Sequence, residues 1–213
     1  MENNNDTNSC LMLAVNLNTP VDLGCIFDSE DLKDTGIELD SHITLLYAQG
    51  KKIEKDNLLN NIKNILGEAN YSVLEDFCKK ENTFDALDIF ELDCFENDSD
   101  YIILKLKKNF KLFTQLELLN KGLKSMYDVS SEFSQYTPHI TLAELEPGKA
   151  KKYLESEKLK LVLEDSYVDF EDLLVSYGKS NEVDREQYFL TQFKCVDRFF
   201  RLINLKENNK ELV

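Results

Sequence analysis

Apolar residues recur along the chain in two periods. Leu58, Leu59, Ile62, Ile65 and Leu66 sit three and four apart, which puts them on one face of a helix, and Gly67 follows as a stop. Val73, Leu74 and Phe77 predict a second helix over Tyr71–Lys80. Leu112, Leu116, Leu119, Leu123 and Met126 predict a longer amphipathic one. Between them lie short β-rich runs: Cys10–Leu17, His42–Ala48, Phe84–Phe95, Tyr101–Lys108, His139–Leu145, Leu159–Leu163, Tyr167–Tyr177 and Gln187–Cys195. Asn97-Asp98-Ser99 predicts a hairpin turn between the Phe84 and Tyr101 runs. Thr19 is placed to cap a short helix from Pro20, and Pro147-Gly148 precedes a helix near Ala150–Glu157. Asp28–Asp40 reads as an acidic loop, the first eight residues as a polar tail, and Val196–Leu205 as either helix or strand.

Late strands joined by short turns, with helices between the earlier ones, define an α+β fold with a largely antiparallel sheet. With 7 Gly and 3 Pro there is no long linker, so residues 1–213 are expected to form one domain.

Two segments echo each other. His42-Ile43-Thr44-Leu45 runs on to Gly50-Lys51 and a predicted helix; His139-Ile140-Thr141-Leu142 runs on to Gly148-Lys149 and another. The repeated order of strand, turn and helix implies an old duplication and two lobes related by a pseudo-two-fold axis.

Charge narrows the function. Forty acidic residues against 25 basic ones leave −15, which argues against a grip on long nucleic acid, where Lys and Arg must neutralise phosphates. A small anionic ligand in a locally basic pocket remains compatible. The five cysteines are scattered, with no C-x-x-C or Cys/His cluster, so neither a zinc site nor a disulfide framework is expected. The polar, acidic N-terminus is unlike a signal peptide, and no apolar run is long enough to span a bilayer, so a cytoplasmic protein is expected. The pairs Glu171-Asp172 and Asp31/Asp34 lack a metal motif and read as solvated charges.

The chemistry lies in the two repeats. Residues i and i+2 of a strand share a face, so His42 pairs with Thr44 and His139 with Thr141, while Ile and Leu turn inward. The two motifs hold every histidine of the chain. Two such strands side by side would surround a phosphate with two imidazoles and two hydroxyls. A neutral imidazole can take a proton from the attacking group, and a protonated one can supply the leaving oxygen. The threonines can bond the non-bridging oxygens as charge builds. Which histidine begins as base stays open.

The His42–Leu45 and Pro138–Leu142 segments resemble the signature of the 2H phosphoesterase superfamily, two His-x-Thr/Ser-hydrophobic motifs on paired strands. The resemblance implies a bilobal, pseudo-two-fold pair of antiparallel sheets with outer helices and an active cleft between them. It implies a metal-independent phosphodiesterase with no cofactor, whose catalytic residues are His42, Thr44, His139 and Thr141. Branches of the family act on cyclic phosphates and 2′-5′ linkages in RNA, or, as phage anti-CBASS nucleases, on cyclic di- and trinucleotide messengers. The charge favours the last, with a small cyclic or short oligonucleotide as partner. The alternatives are an RNA-end enzyme and a protein that sequesters a nucleotide without cutting it.

Further substrate-binding candidates are Lys105 and Lys107, for a second phosphate, and Tyr47, Tyr136, Tyr177 and Tyr188, for stacking on a base. The plainer readings are an edge strand guarded by lysines and tyrosines used in packing. Anti-CBASS nucleases often hold bases with aromatic residues including tryptophan; this chain has no Trp.

Overall fold

The computed structural model describes residues 7–79, 83–130, 135–179, 186–191 and 193. Among the described residues two antiparallel sheets and five helices give the α+β architecture that the sequence pattern predicts. The first sheet is built on β1 (Thr7–Asn18), with β3 (His42–Ala48) on one side and β8 (Tyr167–Lys179) on the other. Two short strands, β4 (Phe84–Asp85) and β9 (Glu186–Phe189), pair with β8. The second sheet runs β2-β7-β6-β5, with β2 at Leu32–Ile37, β7 at His139–Leu145, β6 at Asp100–Leu106 and β5 at Phe90–Glu96. Each motif strand thus belongs to a different sheet.

β1 explains why Cys10–Leu17 alternates only loosely: both its faces are covered. Leu11, Leu13 and Val15 enter a core that continues through Ile43, Leu104, Ile140 and Leu142 and so spans both sheets. Cys10, Met12 and Ala14 point the other way and form a separate small cluster with Leu174.

Helix α1 (Lys55–Lys79) packs behind β8, and α3 (Lys111–Tyr127) lies against α1 and beside β3. The two predicted helices around Gly67 are one run with a break: Gly67 has φ 69° and ψ 165°, a left-handed backbone that leaves the helix before it resumes. Gly122 of α3 lies so close to Ile65 of α1 that a Cβ there would stand 2.4 Å from the Ile65 Cγ2.

Several sequence expectations change. Leu159–Leu163 is helix α5 (Glu157–Glu164), not a strand. Ser156 caps it by accepting from the Leu159 N–H, and Leu159, Val162 and Leu163 bury at helical spacing. The Phe84–Phe95 run is broken into β4, a one-turn helix α2 (Ala86–Ile89) and β5. Helix α4 is shorter than expected, Ala150–Leu154. The acidic loop Asp28–Asp40 contains β2, and the turn after Pro20 is a 3-10 turn at Leu23–Cys25 capped by Asp22, not by Thr19. β1 begins inside the expected polar tail, and Val196–Leu205 lies outside the described residues.

Asp31 is buried, not solvated. It is 1% exposed and held by Lys149 at 2.7 Å, Lys152 at 2.6 Å and the Tyr153 hydroxyl at 2.9 Å. Asp172 is likewise buried and accepts from the Thr191 hydroxyl at 2.9 Å and the Phe193 N–H at 2.6 Å. Among the described residues no helix is long and apolar enough to cross a membrane.

Candidate active site

The two histidines arrive from matching positions. His42 opens β3 and His139 opens β7, and in both strands the second and fourth residues are buried while His and Thr stay half-buried. Nδ1 of His42 lies 2.8 Å from the Asp40 carbonyl, and Nδ1 of His139 lies 2.7 Å from the Thr137 carbonyl, each two residues upstream. A carbonyl oxygen only accepts, so Nδ1 carries the hydrogen in both rings. That fixes the ring orientation and leaves Nε2 free to accept a proton or give one.

Both histidines and both threonines line one cavity of about 1230 Å³ between the sheets. It exceeds the 300–1,000 Å³ or so typical of small-molecule sites.

The correspondence between the two strands extends past the motifs. In β3 the pairing with β1 slips so that Thr44 lies across from Met12 but Leu46 across from Leu11, leaving Leu45 as the extra residue of a bulge. In β7 the same slip occurs against β6: Thr141 faces Ile103, Ala143 faces Ile102, and Leu142 is extra. A bulge reverses the alternation beyond it. The fifth residue after each histidine, Tyr47 or Glu144, therefore comes onto the face of His and Thr. Tyr47 lines the cavity and is 44% exposed. Glu144 is buried and accepts from the Tyr101 hydroxyl at 3.0 Å. Gly50 and Gly148 then turn the chain in both halves with φ of 64° and 82°.

Side chains from elsewhere brace the edge strand β3. The carbonyl of the bulged Leu45 accepts from the Asn120 amide of α3 at 2.7 Å, and the Thr44 carbonyl accepts from the Tyr136 hydroxyl at 2.9 Å. Tyr136 lines the cavity, but its hydroxyl is committed to this tie, and burial pushes its pKa up.

His139 is the more enclosed imidazole. The Phe95 ring meets it edge-on at 4.9 Å and 88°. Burial lowers its pKa from 6.5, the Thr137 carbonyl opposes that, and the nearby His42 adds to it. Phe95 was not singled out from sequence, where it is one apolar residue of a hairpin strand.

Four other candidates lie outside this cavity's lining. Lys105 is across from His139 in the register, but Asp93 at 2.7 Å and Glu91 at 2.8 Å hold its ammonium. Lys107 falls beyond the end of β6, where its Nζ donates to the Leu87 carbonyl at 2.5 Å and the Asp88 carbonyl at 3.1 Å. Tyr177 is buried and its hydroxyl donates to the Ile53 carbonyl at 2.6 Å. Tyr188 packs against Tyr177 and beneath Lys55, its hydroxyl on Glu186.

Among the described residues the cations that line the cavity are Lys51 and Lys124. Lys51 donates to the Tyr127 carbonyl at 2.9 Å and to the Asp128 carbonyl, at the C-terminal end of α3 where a cation is favoured. Lys124 lies one turn beyond Asn120 on the same face of α3. Glu38, Asp40 and Asp128 make the rest of the rim acidic. Among the described residues no group of three or more His, Cys, Asp or Glu is placed to hold a metal ion.

No family model and no curated protein matches the sequence. Among solved structures the chain is similar to a phosphoesterase, 13% identical, with 84% of this chain and 96% of that one covered at a TM-score of 0.40. Kluyveromyces marxianus Usb1 with uridine monophosphate is 10% identical, with 85% and 98% covered and a TM-score of 0.41. E. coli LigT complexed with 3′-AMP is 12% identical, with 84% and 96% covered and a TM-score of 0.40. These are likenesses of outline only.

Proposed function

We propose that this chain is a metal-independent phosphodiesterase of the 2H type, with His42 and His139 as its acid–base pair and Thr44 and Thr141 as ligands of the non-bridging oxygens. The observation that carries this reading is the matched pair of Nδ1–carbonyl contacts, which frees two equivalent Nε2 atoms toward one cavity.

Burial favours the neutral form of His139, so His139 begins as base. Its Nε2 takes the proton of a ribose hydroxyl, whose oxygen attacks the adjacent phosphorus. His42, as imidazolium, gives its Nε2 proton to the departing 5′ oxygen. The products are a cyclic phosphate and a free 5′-hydroxyl. Water can then open the cyclic phosphate with the two roles exchanged. Residues 1–213 act as one bilobal unit in this reading, since each lobe supplies one histidine.

For substrate we favour small cyclic di- or trinucleotides of the kind cut by anti-CBASS nucleases. The net charge of −15 and the acidic rim disfavour a long polyanion, and the cavity has room for more than a mononucleotide.

The test is chromatography of cyclic di- and trinucleotides, and of RNA with a 2′,3′-cyclic end, after incubation with the protein in EDTA. Cleavage that survives EDTA and falls about 10²–10⁴-fold in both His42→Ala and His139→Ala supports the reading. A nucleotide retained intact would make the protein a sequestering one, and loss of activity in EDTA would make it metal-dependent. Equal turnover of a substrate with its neighbouring hydroxyl methylated would exclude internal attack.

A further inference from the structure

The cavity face of the first sheet has an ordered composition that a phosphate alone does not require. Its strand registers give two ladders, each four strands wide. In one, Thr44 lies across from Met12, Met12 from Leu174, and Leu174 from Phe189. In the other, Tyr47 lies across from Cys10, Cys10 from Ser176, and Ser176 from Gln187. Every side chain of both ladders lines the cavity.

The first ladder starts at a catalytic hydroxyl and is apolar from there on. Met12 and Leu174, 5% and 6% exposed, form its floor, apart from the main core, and Phe189 packs against them. The second ladder brings the Ser176 hydroxyl and the Gln187 amide alongside that floor, a donor and acceptor set at its edge. Neighbouring strands lie about 4.8 Å apart, so Leu174 is roughly 10 Å from Thr44. A ribose joined to a phosphate at the histidines bridges that gap.

We infer that this strip is a nucleobase subsite. The base lies flat on Met12 and Leu174, Phe189 flanks it, and Ser176 and Gln187 bond its edge. The inference rests on the phosphodiesterase reading of the same cavity and extends it to the group beyond the scissile phosphate. A flat, polarisable ring suits a floor of thioether and aliphatic carbon, and its edge suits the polar ladder. A lipid chain would leave Ser176 and Gln187 unmatched.

The experiment compares kcat/KM for a nucleoside 2′,3′-cyclic phosphate with that for the abasic ribose cyclic phosphate, in wild type and Phe189→Ala. Loss of ring contact should lower the nucleoside-to-abasic ratio about tenfold, mainly through KM. Ser176→Ala gives a second, gentler variant and should lower the same ratio about fivefold. An unchanged ratio in both variants overturns the subsite, whatever their effect on overall activity. If wild type opens neither compound, the hydrolytic reading fails by itself. The subsite is then decided by fluorescence of a 2-aminopurine ribonucleotide: quenching that weakens in Phe189→Ala upholds it, and no quenching by wild type overturns it.

Discussion

The Tyr136 hydroxyl donates to the Thr44 carbonyl at 2.9 Å and so joins the segment leading into one histidine strand to the backbone of the other. Tyr136 stands three residues before His139, and Thr44 two residues after His42. Tyr136→Phe removes the donor and keeps the ring. We expect a loss of about 1 kcal/mol in stability, or some 2–4 °C in Tm. A larger proportional fall in kcat/KM is expected, because the spacing of the two imidazoles loosens. Calorimetry and steady-state kinetics on the same preparation check both.

The pH profile should carry the mark of His139. As a base it acts when neutral, and burial lowers its pKa from 6.5, so the acid limb of kcat/KM should have its midpoint below pH 6.5. Phe95→Ala lets water reach the ring, eases the desolvation and should move that midpoint upward. Stability follows the same sign. The folded state disfavours the proton, so the His139 contribution is present above pH 6.5 and is lost as pH falls from there through the lower folded-state pKa. An acid limb that Phe95→Ala leaves in place would remove His139 from the role of base.

Lys124 and Lys105 should separate cleanly. Lys124 lines the cavity, and a charge-assisted bond to a flanking phosphate is worth 1–3 kcal/mol or so, so Lys124→Ala should raise KM about tenfold. Lys105 is already neutralised by Asp93 and Glu91, so Lys105→Ala should leave KM within about twofold. Titration of turnover against substrate for both variants decides the matter.

Asp31 makes the fold acid-sensitive. Its hydrogen bonds from Lys149, Lys152 and Tyr153 hold its carboxyl well below the usual 3.8, against the opposing effect of burial. The folded pKa is the lower one, so this stability is present above pH 3.8 and is lost as pH falls below it. Asp31→Asn should lower Tm by several degrees near neutrality and flatten its fall in acid. Melting curves from pH 3 to 7 test this.

Helix contact sets a steric demand at Gly122. A Cβ there meets Ile65 at 2.4 Å, so Gly122→Ala should cost about 1–3 kcal/mol. Adding Ile65→Ala should recover part of the loss. A double-mutant cycle by urea denaturation measures the coupling.

The sequence carried the parts that local pattern controls. The α3 face from Leu112 to Leu123 is buried as its spacing predicts, and the His-x-Thr alternation places both motifs. Leu159–Leu163 misled because five residues of Leu, Lys and Val fit either period, and the decisive cap, Ser156, lies outside them. The candidates that moved are those whose fate depends on distant partners. Lys105 is lost to acids on the neighbouring strand β5, and Tyr177 to the Ile53 carbonyl. Phe95 and Lys124 entered because hairpin β5–β6 and helix α3 bring them to the cavity. Tyr47 would face away from His42 in an unbroken strand; only the slip at Leu45 turns it round.

That slip and its counterpart at Leu142 have a consequence for direction. The phosphate group of a diester is nearly symmetric about phosphorus, but the nucleotide chain through it has a 3′ and a 5′ side. The histidines and threonines repeat that symmetry, and the positions brought in by the bulges break it: an aromatic ring at Tyr47, a buried acid at Glu144. Laying the chain one way or the other between the imidazoles therefore differs in energy. The cavity has a sense, and in the proposed mechanism that sense decides which imidazole meets the attacking hydroxyl and which meets the departing 5′ oxygen.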